Sequence, residues 1–117
     1  MALEIKSRVE DGFAILDLAG QLTLGPGLPS LRDGARKILS GNKPAGLILR
    51  VCDITQLDSA GLGELTVVYT LATKRGCPLR LVEVSPALRK MLEVTRLDGL
   101  LPSAANVSQA KAEMRPH

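Results

Sequence analysis

Aromatic residues are almost missing from this sequence: it has one tyrosine, one phenylalanine and no tryptophan in 117 residues. Single-strand nucleic-acid binders stack bases on aromatic side chains, and nucleic-acid binders in general gather cations into a stripe. The net charge here is +3, yet no more than two basic residues adjoin, as at Arg36-Lys37, Lys74-Arg75 and Arg89-Lys90. No nucleic-acid partner is expected. The one histidine, His117, lies in a terminal tail, so a Ser-His-Asp triad has no base. The two cysteines, Cys52 and Cys77, form neither a C-x-x-C pair nor a zinc pattern and read as small, buried or half-buried hydrophobes. No apolar run approaches the roughly 20 residues of a membrane helix, so no membrane insertion is expected. Charges interrupt Met1-Ala2-Leu3-Glu4-Ile5-Lys6 before any apolar region, which does not suit a signal peptide. The cytoplasm is the default location.

What is present suits one globular α/β domain over 1–117, with a core at about 3–102 and a terminal helix at about 103–114. The composition is 45% hydrophobic and 23% charged. Residues 3–9 alternate apolar and polar, as a half-buried strand does. Glu10-Asp11-Gly12 is a hairpin signal, and residues 13–19 follow as a more buried, antiparallel strand. Gly20 is expected to end that strand, and Gly25, Pro26 and Gly27 punctuate a loop over 20–28. Pro29-Ser30 opens a helix to about Ser40, with Gly41-Asn42 as its stop. The apolar run 45–51 reads as a buried strand. After a loop over 52–59, Leu62, Leu65, Val68 and Ala72 give a helix from about Ala60 to Lys74. Residues 79–83 form the next strand, and Ser85-Pro86 caps and starts another helix. Leu100-Leu101 is expected as a short last strand, Ser103 to Met114 as a terminal helix, and Arg115-Pro116-His117 as a fraying end. The pattern is a mostly parallel mixed sheet with an N-terminal antiparallel hairpin and about four helices.

Loops 20–28, 52–59 and 83–85 leave the carboxyl ends of strands, the edge where open α/β sheets carry their sites. That places Thr23, Asp58 and Ser59 on one rim. The first N–H groups of a helix lack intrahelical partners, so Ser59 or Asp58 can cap this one. A phosphate there would also meet those donors and the positive end of the helix dipole. Gly61 and Gly63 leave the first turn without bulk. The stretch is not a phosphate loop, because G-x-x-x-x-G-K-[ST] is absent and G-x-G-x-x-G fails at Thr66. G-x-S-x-G is absent as well, and no lysine stands at a spacing that suggests a Ser–Lys pair. Asp53, Asp58 and Glu64 are too few to bet on as metal ligands and read as a solvated face. No metal or cofactor is expected.

Leu47-Ile48-Leu49-Arg50-Val51, followed by Leu57-Asp58-Ser59-Ala60-Gly61-Leu62-Gly63, resembles the STAS family, named for sulfate transporters and anti-sigma factor antagonists. Members of the anti-anti-sigma type carry D-[ST]-[STA]-G-[LI]-G after the third strand. Val9 to Gly20, Arg75 to Val84 and Ser85 to Leu97 resemble the family's hairpin, fourth strand and following helix. The resemblance implies that a partner kinase, itself an anti-sigma factor, phosphorylates Ser59. It further implies that the unphosphorylated form binds that kinase and frees a sigma factor, and that a phosphatase resets the switch. The protein would be a substrate and not an enzyme. Asp58 is carried over as a docking and positioning residue or a plain cap, and Gly61 and Gly63 as close-approach positions. Leu22, Leu24 and Leu62, if exposed on the rim, would serve a partner or a homodimer. One departure stands out: the family's G-E-[LIV]-D reads Gly20-Gln21-Leu22-Thr23 here, with both acids gone. That favours a second reading, a non-phosphorylated STAS adaptor such as a scaffold or a component of a lipid-transport assembly. A small hydrolase and a detached transporter domain are weaker alternatives.

Overall fold

The structure is a computed structural model that describes residues 2–115. Pro116 and His117, expected in a fraying tail, lie outside the described residues. The hairpin forms as its sequence dictates. Strand β1 spans Glu4–Glu10 and β2 spans Phe13–Leu22. Asp11 and Gly12 both take positive φ, 54° and 82°, the geometry that a two-residue hairpin turn needs. The pair is antiparallel, with Glu10 opposite Phe13.

Strand β2 does not stop at Gly20. It continues to Leu22 with register shifts around Asp17–Ala19 and Gly20–Gln21. Gly20 sits at φ +94°, and a Cβ there would lie 2.4 Å from the Ala2 carbonyl oxygen. The glycine bends the strand where only glycine fits. Strand β3 likewise outruns its apolar core, spanning Leu47–Leu57. Residues 52–57 look like a loop in sequence because they leave the buried part of the sheet. They still pair with β2, Ile54 opposite Gly20 and Leu57 opposite Leu22.

Helix α1 spans Ser30–Asn42. Gly41 and Asn42 are its last residues and not its stop; the left-handed Lys43 ends it, at φ 44°. Helix α2 spans Ser59–Lys74, β4 Leu79–Val82 and α3 Pro86–Val94. Ser85 caps α3 by accepting the Leu88 N–H at 3.2 Å, as its sequence predicts. The last strand, β5, is Ser103–Ala104 and not Leu100-Leu101, and α4 begins late, at Val107–Met114. Leu101 is instead a core side chain, 1% exposed.

The sheet order is β1-β2-β3-β4-β5, parallel except for β1. Alternation along the strands makes two cores. Ala14, Leu16, Leu18, Leu47, Leu49 and Val51 pack with side chains of α1, α2 and α3. On the other face Phe13, Ile15, Ile48 and Val82 pack with Ala110 and Met114 of α4. The chain is a single α/β domain with a mixed sheet. The carboxyl ends of β2 and β3 lie side by side at one edge, and α2 starts from there.

Candidate functional site

Leu22 and Leu57 pair at the ends of β2 and β3, so the loop after β2 and the first turn of α2 leave the sheet together. Asp58, in extended conformation, is the N-cap of α2. One carboxylate oxygen accepts the Gly61 N–H at 2.8 Å, and the other accepts the Leu24 N–H at 2.9 Å. The Asp58 N–H also donates to the Leu22 carbonyl at 3.4 Å. These donors, Leu24 first and Gly61 next, hold the carboxyl below the ordinary aspartate range. Of the two candidate caps it is therefore Asp58 that fills the role.

Ser59 is the first helical residue and is exposed. Its hydroxyl has no hydrogen-bond partner among the described residues, so nothing holds it to the fold. Thr23 is half-buried on the neighbouring loop, and Leu24 projects beside it, 79% exposed. The structure thus brings Thr23, Asp58 and Ser59 to one rim.

The other rim candidates separate. Leu22 and Leu62 are 0% and 3% exposed, core side chains with no surface to offer. Gly61 is buried as well. A Cβ there would stand 1.8 Å from the Leu22 carbonyl oxygen, so this glycine lets α2 approach β2 within the molecule. Gly63 faces open space, with nothing within 4 Å of a built Cβ.

The three carboxylates weighed as ligands do not converge. Asp53 lies 3.6 Å from Arg50, Asp58 is taken up by its backbone donors, and Glu64 is buried against Arg32 of α1. Glu64 is not on a solvated face: it is 5% exposed, and Arg32 Nε donates to it at 3.1 Å. Glu64 in turn raises the Arg32 pKa above its usual value. No cluster that could hold a metal ion occurs among the described residues. Nor is there a histidine among them to serve Ser59 as a base. A cavity between β3 and α3, lined by Ile54, Leu57, Leu88 and Met91, measures ≈ 120 Å³, below the about 300 Å³ at which small-molecule sites begin. A second cavity, ≈ 300 Å³, is lined by Leu3 and by Thr23, Leu24 and Leu28 of the loop after β2.

Cys52 corrects another expectation. It is exposed, on the face of β3 that α4 leaves open, while Cys77 is buried. On that face Arg50 donates to Glu83 at 2.7 Å and lies 3.7 Å from Asp17. Desolvation, followed by a bond to Glu83, pushes the Cys52 thiol up and leaves it poorly nucleophilic. This ion-pair group was not read from sequence. The period-two placement of Asp17 and Arg50 on their strands was the available signal.

A family profile described as "Mlab, STAS domain" matches residues 7–102. No curated protein matches the sequence. Solved structures do match in fold. An anti-sigma factor antagonist from Mycobacterium paratuberculosis is similar with a TM-score of 0.82 and 21% identity, over 98% of this chain and 96% of that one. A serine-to-glutamate variant of RsbS from Moorella thermoacetica gives 0.75 and 18%, over 94% and 93%. The Bacillus cell fate determinant SpoIIAA in its phosphorylated form gives 0.68 and 17%, over 97% and 100%. No helix among the described residues is long and apolar enough to cross a membrane.

Proposed function

We propose that this chain, which belongs to the STAS family, is an anti-sigma factor antagonist switched by phosphorylation of Ser59. The observation that carries this reading is the free, exposed Ser59 hydroxyl at the first position of α2, beside a capping Asp58. Unphosphorylated, the rim binds an anti-sigma factor that is also a serine kinase, and so releases a sigma factor. Phosphorylated, it lets go, and a phosphatase restores it. The chain is then a substrate and a switch, and its likeness to a phosphorylated Bacillus protein of the same fold supports this.

The physical account is local. A phosphate adds about −1.5 to −2 charge. At a helix N-terminus that charge is tolerated or stabilising within the protein. At a covered interface it is costly without a cationic match. Weakening binding tenfold takes only about 1.4 kcal/mol. The switch therefore acts on the interface and leaves the fold intact.

The test is phosphorylation by anti-sigma factor kinases of the same genome, read by intact mass. Wild type should gain one phosphate, and Ser59→Ala should gain none while keeping its thermal midpoint. Labelling of the variant at the wild-type level would place the phosphate elsewhere. The second reading, an adaptor unmodified at Ser59, rests on Gln21 and Thr23 standing where the family has acids. A lipid-transport assembly is one setting for it. An unmodified Ser59 in protein from native cells, across growth and stress, is its signature.

A further inference from the structure

Strand β1 is the open side of the sheet. It pairs with β2 alone, and its outer edge meets no strand among the described residues. Such an edge is a template for another strand, and proteins usually blunt it with charge, proline or a bulge. No proline or register shift interrupts Glu4–Glu10. Side chains alternate along it. Leu3 and Ile5 pack against the core that α1, α2 and α3 share, and Glu4, Lys6, Arg8 and Glu10 take the other face. Arg8 pairs with Glu10, and its Nε donates to Asp17 at 3.1 Å. Glu4 and Lys6 are exposed and make no ion pair among the described residues. Between β1 and α1 runs an open groove of ≈ 710 Å³, whose lining includes Leu3, Ile5, Val9, Gly34, Lys37 and Ile38.

We propose that this edge is the joint of a homodimer, in which β1 of a second copy runs antiparallel to β1 about a twofold axis at Ile5. A twofold presents the same patch on both copies, and residues opposite each other in antiparallel strands share a face. Unlike charges so placed stabilise a pair and like charges oppose it. The charges therefore select the register. An axis at Ser7 sets Glu4 against Glu10 and Lys6 against Arg8, and an axis at Lys6 or Arg8 sets that cation against itself. At Ile5, Glu4 of each copy faces Lys6 of the other, Ile5 faces Ile5, and Leu3 faces Ser7. The two charges that the single chain leaves unpaired then find partners. The groove favours a second copy over a bare peptide strand. An axis normal to the sheet keeps both α1 helices on one face, and each lies over β1 and β2. The two helices then stand about two strand spacings apart, roughly 9.6 Å, within the about 8–10 Å of packed helices. They meet near Gly34, where a Cβ would lie 3.9 Å from the Ile5 side chain and no side chain widens the helix. The two grooves close on each other, and two five-stranded sheets become one. Ser59 starts α2, which packs over β2, β3 and β4, so the joint is separate from the proposed switch.

The experiment is sedimentation velocity on the full chain, from about 1 μM to about 1 mM. The wild type should pass from monomer to dimer across that range. Glu4→Lys opposes like charges at two places across the axis, and so does Lys6→Glu. Each should weaken the dimer about tenfold or more. Mixed in equal amounts, the two variants oppose unlike charges at both places again, and the mixture should dimerise within about threefold of wild type. Both side chains are exposed, so both variants should stay folded. A wild type that stays monomeric overturns the second copy and leaves the edge to an extended peptide of another protein. A dimer that both variants keep, or one that their mixture does not restore, places the joint elsewhere and overturns this register.

Discussion

Gly61 and Gly63 stand two residues apart on one helix and make opposite demands. A methyl group on Gly61 would stand 1.8 Å from the Leu22 oxygen and 2.7 Å from its carbonyl carbon, backbone atoms that cannot rotate away. Gly61→Ala should cost about 3 kcal/mol in urea unfolding, because α2 must lift off β2 to accommodate it. Gly63→Ala meets nothing and replaces a poor helix former, so it should stabilise by up to about 1 kcal/mol. Equal effects at the two positions would show that α2 does not rest on the end of β2. Asp58 carries a pH signature of the same locality. Its folded pKa lies below its unfolded one, so its contribution is full above about pH 4 and fades as pH falls through the folded value. Leu24 amide protection should therefore exceed that of Asp58→Asn at neutral pH and converge with it in acid. A constant difference down to the most acid pH at which the fold survives would mean that another group holds Leu24.

Helix α1 ends at Lys43 with φ 44° and ψ 58°, a left-handed conformation that costs a side chain about 1 kcal/mol. Lys43→Gly removes that cost and gives back part of it as chain entropy in the unfolded state. A net gain of about 0.5 kcal/mol in thermal unfolding is expected, and a loss would mean that the lysine side chain contributes contacts that outweigh the strain. The same helix shows what was legible and what was not. Its start at Pro29-Ser30 was readable because proline sets φ before the chain folds. Its end was misread because Gly41 suggested a stop that the chain takes two residues later. Strands β2 and β3 both run on past their expected ends, for different reasons. In β2, Gly20 reads as a stop, yet the strand passes through it to the buried Leu22; in β3, the apolar run reports burial, and the strand continues beyond it through the exposed Cys52-Asp53. At the site, Asp58 and Ser59 were legible from the strand-to-helix junction. The tether to Leu24 was not, because it joins residues 34 apart that only the parallel pairing of β2 and β3 brings together. Glu64 was misplaced for a similar reason: its partner Arg32 lies on another helix.

Across the whole molecule, the buried core and the proposed switch occupy opposite ends of the same strand. Phe13 begins β2 and is 1% exposed, packed with Ile15, Ile48 and Met114 beneath α4. Leu22 ends β2 beside the Ser59 rim, roughly 30 Å away at the usual strand rise. A phosphate on an exposed helix start and a cavity under α4 share no contacts, so their effects should add. Phe13→Ala should lower unfolding stability by about 3–5 kcal/mol, a large part of what a domain of this size has. Ser59→Asp should move it by less than about 0.5 kcal/mol and act on partner affinity instead. The double variant should unfold like Phe13→Ala and, at a temperature where it is folded, bind like Ser59→Asp. A coupling above about 1 kcal/mol in that cycle would show that charge at the rim reaches the core through β2. The switch would then work by loosening the domain and not by spoiling a surface.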